Sequence, residues 1–166
     1  MKNNDFYKLF LEEVKCMYDV EKKIVKSLPE VIDAATNEKL KDGLRNHLEE
    51  TKEQVNRLEQ VASELKEDIT GSVCEAMNGL IDDMKKIIDQ KYQPDVTDAA
   101  IISYAQRIEH FEIAIYGGLI AFAKQLKLSK VEDLFKKSEK EEANADKELT
   151  KIAEGSKGVN KRACCE

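Results

Sequence analysis

Ile101–Gly117 reads IISYAQRIEHFEIAIYG, and this stretch decides the fold. At about 100° per residue, Ile102, Ala105, Glu109, Glu112, Tyr116 and Ile120 fall on one stripe of a long helix. The stripe is apolar enough to face a core, yet it carries two carboxylates one turn apart. Asp and Glu are almost never fully buried unless something pairs with them. The remainder of the chain must therefore supply whatever neutralises Glu109 and Glu112.

Working outward, three more long helices show the same conflict. The pattern predicts a first helix from about Asn4 to a little past Pro29, with Phe10, Val14, Met17, Ile24, Val25 and Leu28 inward. Glu21 lies in the middle of that apolar stripe, while Asp19 points elsewhere. A break at Ala34–Asn37, with Thr36 or Asn37 as cap, leads into a helix from about Glu38 to Leu65. Thr51 is central on its face, with His47 and Gln54 on one flank. Glu50 lies at the boundary, about 100° from Thr51. The last long helix is expected from Lys130 to Ala153, started by Ser129. Glu142 is near the centre of its face, Asp146 is about 40° off it, and Glu141 is at the boundary. The opening stretch belongs to a helix begun by Asp95 or Thr97 and ending near Gln125. A shorter helix, Val73 to Gln90, has no inward acid and reads as a crossover between the second and third long helices.

The fold expected is thus an all-α antiparallel four-helix bundle with one long crossover carrying a short extra helix. Residues 1–154 form the bundle domain, and 155–166, GSKGVNKRACCE, form a disordered tail. The 166 residues suit one domain. A charged fraction of 36% with only seven Gly and two Pro agrees with a mainly helical protein. A net charge of -6 argues against electrostatic nucleic-acid binding. No apolar run is long enough to span a membrane, and no signal-peptide pattern opens the sequence, so the expected location is the cytoplasm. The four cysteines fit free thiols; Cys164 and Cys165 could hold a soft metal or act as a redox pair, but a tail without function accounts for them as well.

Glu21, Glu50, Glu109 and Glu142 each sit near mid-helix, so an antiparallel bundle brings them to similar heights. Gathering such acids without cations would cost several kcal/mol for each buried charge. Two divalent metals would supply four positive charges, as in carboxylate-bridged di-iron and di-manganese bundles. One acid on a helix is usually solvated, and His47 alone would more often be an interior hydrogen-bonded residue. Inward acids on all four long helices make metal the better account. The candidate metal residues are Glu21, His47, Glu50, Glu109, Glu112, Glu142 and Asp146. His110 points away from the stripe. Tyr116 is either a hydrogen-bond partner of a ligand carboxylate or an ordinary core residue.

The segments HLEETKEQVNRLEQV (His47–Val61), CEAMNGLI (Cys74–Ile81) and AQRIEHFEIAIYG (Ala105–Gly117) resemble the bacterial YciE/YciF stress-protein family, and Met17–Val31 fits its first helix. The resemblance extends to about Glu154. It implies a ferritin-like, rubrerythrin-related fold, a homodimer, and a metal centre within the bundle. Carried over, it supports Glu21, Glu50, Glu109, Glu112 and Glu142 as ligands, with His47, Gln54 and Asp146 in the first or second layer around the metal. Neither Glu50 nor Glu142 is followed three residues later by His; those positions are Glu53 and Ala145. An oxygen-rich site favours hard ions, with iron the first expectation and manganese the second.

Two functions compete. In one, a di-iron or di-manganese bundle reacts with oxygen or peroxide during stress, or handles iron, its acids serving as ligands rather than acid–base catalysts. In the other, the bundle is a non-enzymatic dimeric scaffold in which any metal is structural. A site filled by Ni, Zn or Cu is a third possibility. Whether the protein is an enzyme stays open at this point.

Overall fold

The computed structural model describes residues 4–164. It is an all-α bundle, with no strand among the described residues. Four long helices make the body: α1 (Asp5–Ala34), α2 (Glu38–Leu65), α4 (Pro94–Gln125) and α5 (Ser129–Glu154). The crossover from α2 to α4 carries α3 (Glu75–Asp89), and α6 (Val159–Ala163) follows α5. Helix α1 packs on α2, α2 on α5, α5 on α4 and α4 on α1, closing a ring of four, while α3 lies against α4 and α1. No described helix is long and apolar enough to cross a membrane.

Local sequence explains three of the helix starts. The Asn4 side chain accepts the Phe6 N–H, and the Asn37 side chain accepts the Leu40 N–H, satisfying donors that a first turn leaves free. Helix α4 begins earlier than expected, because Pro94 occupies its first turn, where a missing N–H costs nothing. Helix α5 likewise begins at Ser129 itself; Leu128 is at the cap position and Ser129 is not the cap.

Two ends are set by distant residues. Asp98 of α4 is fully buried and accepts the Thr36 N–H, the Thr36 hydroxyl and the Asn37 N–H at 2.7–2.9 Å. It thereby ties the start of α2 to α4. Asp19 of α1 accepts the Cys74 N–H at 2.7 Å and so holds the start of α3 against α1.

The expected disordered tail is a correction. Residues 155–164 turn back on α4 and α5, and Val159 is fully buried. Gly158 makes the turn possible: a Cβ there would lie 2.3 Å from the Ala153 carbonyl oxygen. Arg162 Nε then pairs with Asp95 at 2.7 Å. A Gly–Ser–Lys–Gly run reads locally as a linker, and only the docked Val159 and Arg162 give it a fixed place. Cys164 is an exposed free thiol, and Cys165 lies outside the described residues.

Candidate metal centre

The site is built one helix at a time. Helix α1 buries Glu21 completely between the core residues Met17 and Ile24. Helix α2 turns His47, Thr51 and Gln54 inward at successive turns. The Thr51 hydroxyl donates to the His47 carbonyl at 2.8 Å, so its own hydrogen is turned away from the acids. Helix α4 contributes Glu109 and Glu112, and α5 contributes Glu142; all are buried.

His47, Glu109, Glu112 and Glu142 each offer one ligand atom, and these atoms lie within 4.8 Å of one another. Metal bonds of about 2.1 Å place ligand atoms up to about 4.2 Å apart, so small carboxylate rotations would close the group on an ion. His47 Nε2 is 3.4 Å from Glu109 Oε1. Burial lowers the His47 pKa to about 4, leaving a neutral imidazole with a lone pair at neutral pH.

Five carboxylate oxygens here are buried without a hydrogen-bond partner: Glu21 Oε2, Glu109 Oε2, both oxygens of Glu112, and Glu142 Oε2. Burial raises the pKa of Glu21, Glu109 and Glu112 well above the ordinary carboxylate value, and the charge of Glu142 adds to this at each. Burial also raises Glu142, to about 7. Crowded buried acids with so few donors hold protons tightly unless a cation is bound among them. A buried, oxygen-rich set with one neutral imidazole and orphaned lone pairs fits a hard divalent metal.

The Glu21 side differs from the His47 side. Glu21 Oε1 accepts the hydroxyl of Tyr116, and Glu142 Oε1 accepts from Gln54 Nε2. Behind Gln54, Arg57 reaches across to α5, donating to Ser138 Oγ at 2.6 Å and to both oxygens of Glu141 at 2.9 and 3.0 Å. The sequence reading put Ser138 on the inward face of the last helix without giving it a role, did not include Arg57, and left Glu141 at the boundary. Arg57 is three residues beyond Gln54, but an arginine in an amphipathic helix ordinarily reads as a surface residue.

Of the seven candidate residues, four form the close group. Glu21 adjoins it, held by Tyr116. Glu50 stands outside: it is exposed on the flank of α2, in a cleft that also reaches His47 and Glu109. Asp146 is also apart, because Gln106 Nε2 donates to it at 2.9 Å and His110 Nε2 lies 3.5 Å away. These partners draw its carboxylate to the outer seam between α4 and α5. Gln54 is completely buried and serves as a donor to Glu142.

Comparison with known proteins places this arrangement. The sequence model described as "Domain of unknown function (DUF892)" matches residues 5–164. Protein YciF of Escherichia coli K12 is 38% identical over 156 residues, 93% of each chain. Among solved structures, the E. coli stress protein YciF superposes with a TM-score of 0.87 at 36% identity, covering 92% of this chain and 95% of that one. YcfI from Rhodopseudomonas palustris, provisionally described as a structural protein, also gives 0.87, at 38% identity over 90% and 95% of the two chains. A Xanthomonas campestris protein shares the fold alone, with a TM-score of 0.74 at 14% identity over 96% and 94%.

Proposed function

Since this chain belongs to the DUF892 family together with E. coli YciF, we propose that it is a ferritin-like carboxylate metalloprotein of the stress-response type. The observation that carries this reading is the set of five unpartnered buried carboxylate oxygens facing a neutral histidine. Without a cation, such a group opposes folding. Two divalent ions would balance the charge of Glu21, Glu109, Glu112 and Glu142. Iron is the first choice and manganese the second, because the donors are mostly hard oxygens. When bound, such ions polarise oxygen species and exchange electrons with them.

The residues divide the work. His47, Glu109, Glu112 and Glu142 make the first seat. Glu21, with free oxygens of Glu112 and Glu142, makes the second. Tyr116 and Gln54 already donate on that side, so the second seat is the weaker. Loading of the metal-free protein with Fe(II) or Mn(II) under nitrogen therefore gives two unequal steps by calorimetry. Glu109→Ala abolishes the strong step, and Glu21→Ala abolishes the weak one, each with helical content retained. Wild-type binding in Glu109→Ala would overturn the assignment. Peroxide or oxygen is the proposed small oxidant, tested by its consumption by the iron-loaded protein.

A scaffold reading is favoured by a different observation. From Phe111 to Ala123, α4 carries no charged residue except the buried Glu112, and Ala114, Gly117 and Ala121 are exposed. We propose this face as the contact of a homodimer in the cytoplasm. In the scaffold reading that contact is the function, and the metal only stiffens the bundle. A sedimentation mass of two chains, with no oxidant consumed by the loaded protein, would favour it.

A further inference from the structure

Two cavities reach the acid group, and their walls differ in kind. One runs beneath α3, lined mainly by Ile24, Leu28, Ile81, Met84, Ile88 and Ile108, and ends at His47 and Glu109. It holds only about 30 Å³ of free space, little more than one water needs. The other is a cleft between α2 and α5 of about 430 Å³. Asp42, Asn46, Glu50 and Glu148 line it, and it too reaches His47 and Glu109.

A hydrated divalent ion cannot pass the first. It would have to shed its water against aliphatic carbon, at a cost far above thermal energy. The cleft, at about 430 Å³, has volume for an ion with its water and offers oxygen ligands from Asp42, Asn46, Glu50 and Glu148. Its inner wall contains a carboxylate that points to a cation: Glu109 is 2% exposed, and its Oε2 has no hydrogen-bond partner. Glu50 is one helical turn from His47 and makes no hydrogen bond or ion pair with the described residues. Its carboxylate is free to meet an ion.

We propose that the cleft between α2 and α5 is the route by which divalent cations enter and leave the buried group, with Glu50 as a transit ligand that takes the ion from water and passes it to Glu109. The inference rests on the reading that the group holds metal. It gives the most exposed of the seven sequence candidates a role that differs from permanent ligation.

The test uses Co(II) and the metal-free full-length protein, following the cobalt absorption band by stopped flow. A carboxylate on an entry path raises capture about tenfold or more, so Glu50→Gln should slow both uptake and release by that order with the equilibrium constant unchanged. Ile81→Phe, which narrows the aliphatic cavity, should leave both rates at the wild-type values. Wild-type rates in Glu50→Gln overturn the route. Faster release with weaker equilibrium binding makes Glu50 a resident ligand and also overturns it. Slower uptake in Ile81→Phe moves the route to the other cavity. Absence of Co(II) binding by the wild-type chain is a separate failure, because it removes the metal reading itself and the route with it.

Discussion

Two layers of the bundle interior obey opposite rules. In one, the rings of Phe10 of α1 and Tyr116 of α4 each pack on Phe135 of α5, with ring centroids 6.2–6.3 Å apart. Burial there stabilises the fold directly. In the other, Glu21, Glu109, Glu112 and Glu142 are buried to the same degree, with oxygens that lack partners. Burial there opposes folding. Tyr116 joins the two, its ring in the aromatic layer and its hydroxyl on Glu21. The contrast separates the layer that holds the bundle together from the layer that opposes its folding.

The largest effect should come from the aromatic layer. Phe10→Ala should cost about 3–5 kcal/mol in urea unfolding, and by the same amount with or without Mn(II). A loss that disappears on metal addition would break the contrast. Next is the pH response of the metal-free protein. Glu142 has a pKa near 7 in the folded chain against 4.5 as a free group. Its folded form holds the proton more tightly, so its stabilisation is complete below the unfolded value and disappears as pH rises through 7. That difference is worth roughly 3 kcal/mol. His47 runs the other way. With its pKa lowered from 6.5 to about 4, it stabilises above 6.5 and loses this as pH falls through 4. Above about pH 6.5 His47 is neutral in both the folded and the unfolded chain, and up to about pH 7.5 the slope comes from the raised carboxylates. Thermal melts should therefore fall as pH rises from there, and bound Mn(II) should flatten the trend. A metal-free protein that becomes more stable over that interval would contradict the acid-layer account.

Glu112→Leu should act more modestly and with the opposite sign to the aromatic change. Replacing a buried carboxylate whose two oxygens lack partners by a hydrocarbon should stabilise the metal-free chain by roughly 1–3 kcal/mol while abolishing the melting shift on Mn(II) addition. A destabilised variant that still binds would show that the acid layer contributes packing rather than a site. The smallest effect serves as a control outside both layers. Lys127, between α4 and α5, has φ of 57°, and Lys127→Gly should gain about 0.5–1 kcal/mol. The gain should be the same in metal-free and loaded protein, measured by urea titration of each.

Much of this contrast was legible from spacing. An acid centred on an apolar stripe is visible in one dimension, and Glu21, Glu109, Glu112 and Glu142 were all identified that way. Residues at the edge of a stripe were not. Glu50 and Arg57 are seven residues apart on α2, about 20° from each other around its axis. Periodicity treats them alike, yet Arg57 is buried against Glu141 and Ser138 while Glu50 stands open in a cleft. The difference is the path of α5, which covers one and leaves the other. Asp98 escaped notice for a similar reason, since its role is to cap a helix 61–62 residues away.

What the chain determined by itself was the set of helices and the polarity of each face, because both follow from a repeat of 3.6 residues and from local caps. What only the tertiary structure decided was which edge residues meet, which acids come together and which stand in a cleft beside them, and that residues 155–164 dock rather than trail. Those outcomes depend on how one helix lies across another, a relation that the periodicity of a single helix does not contain.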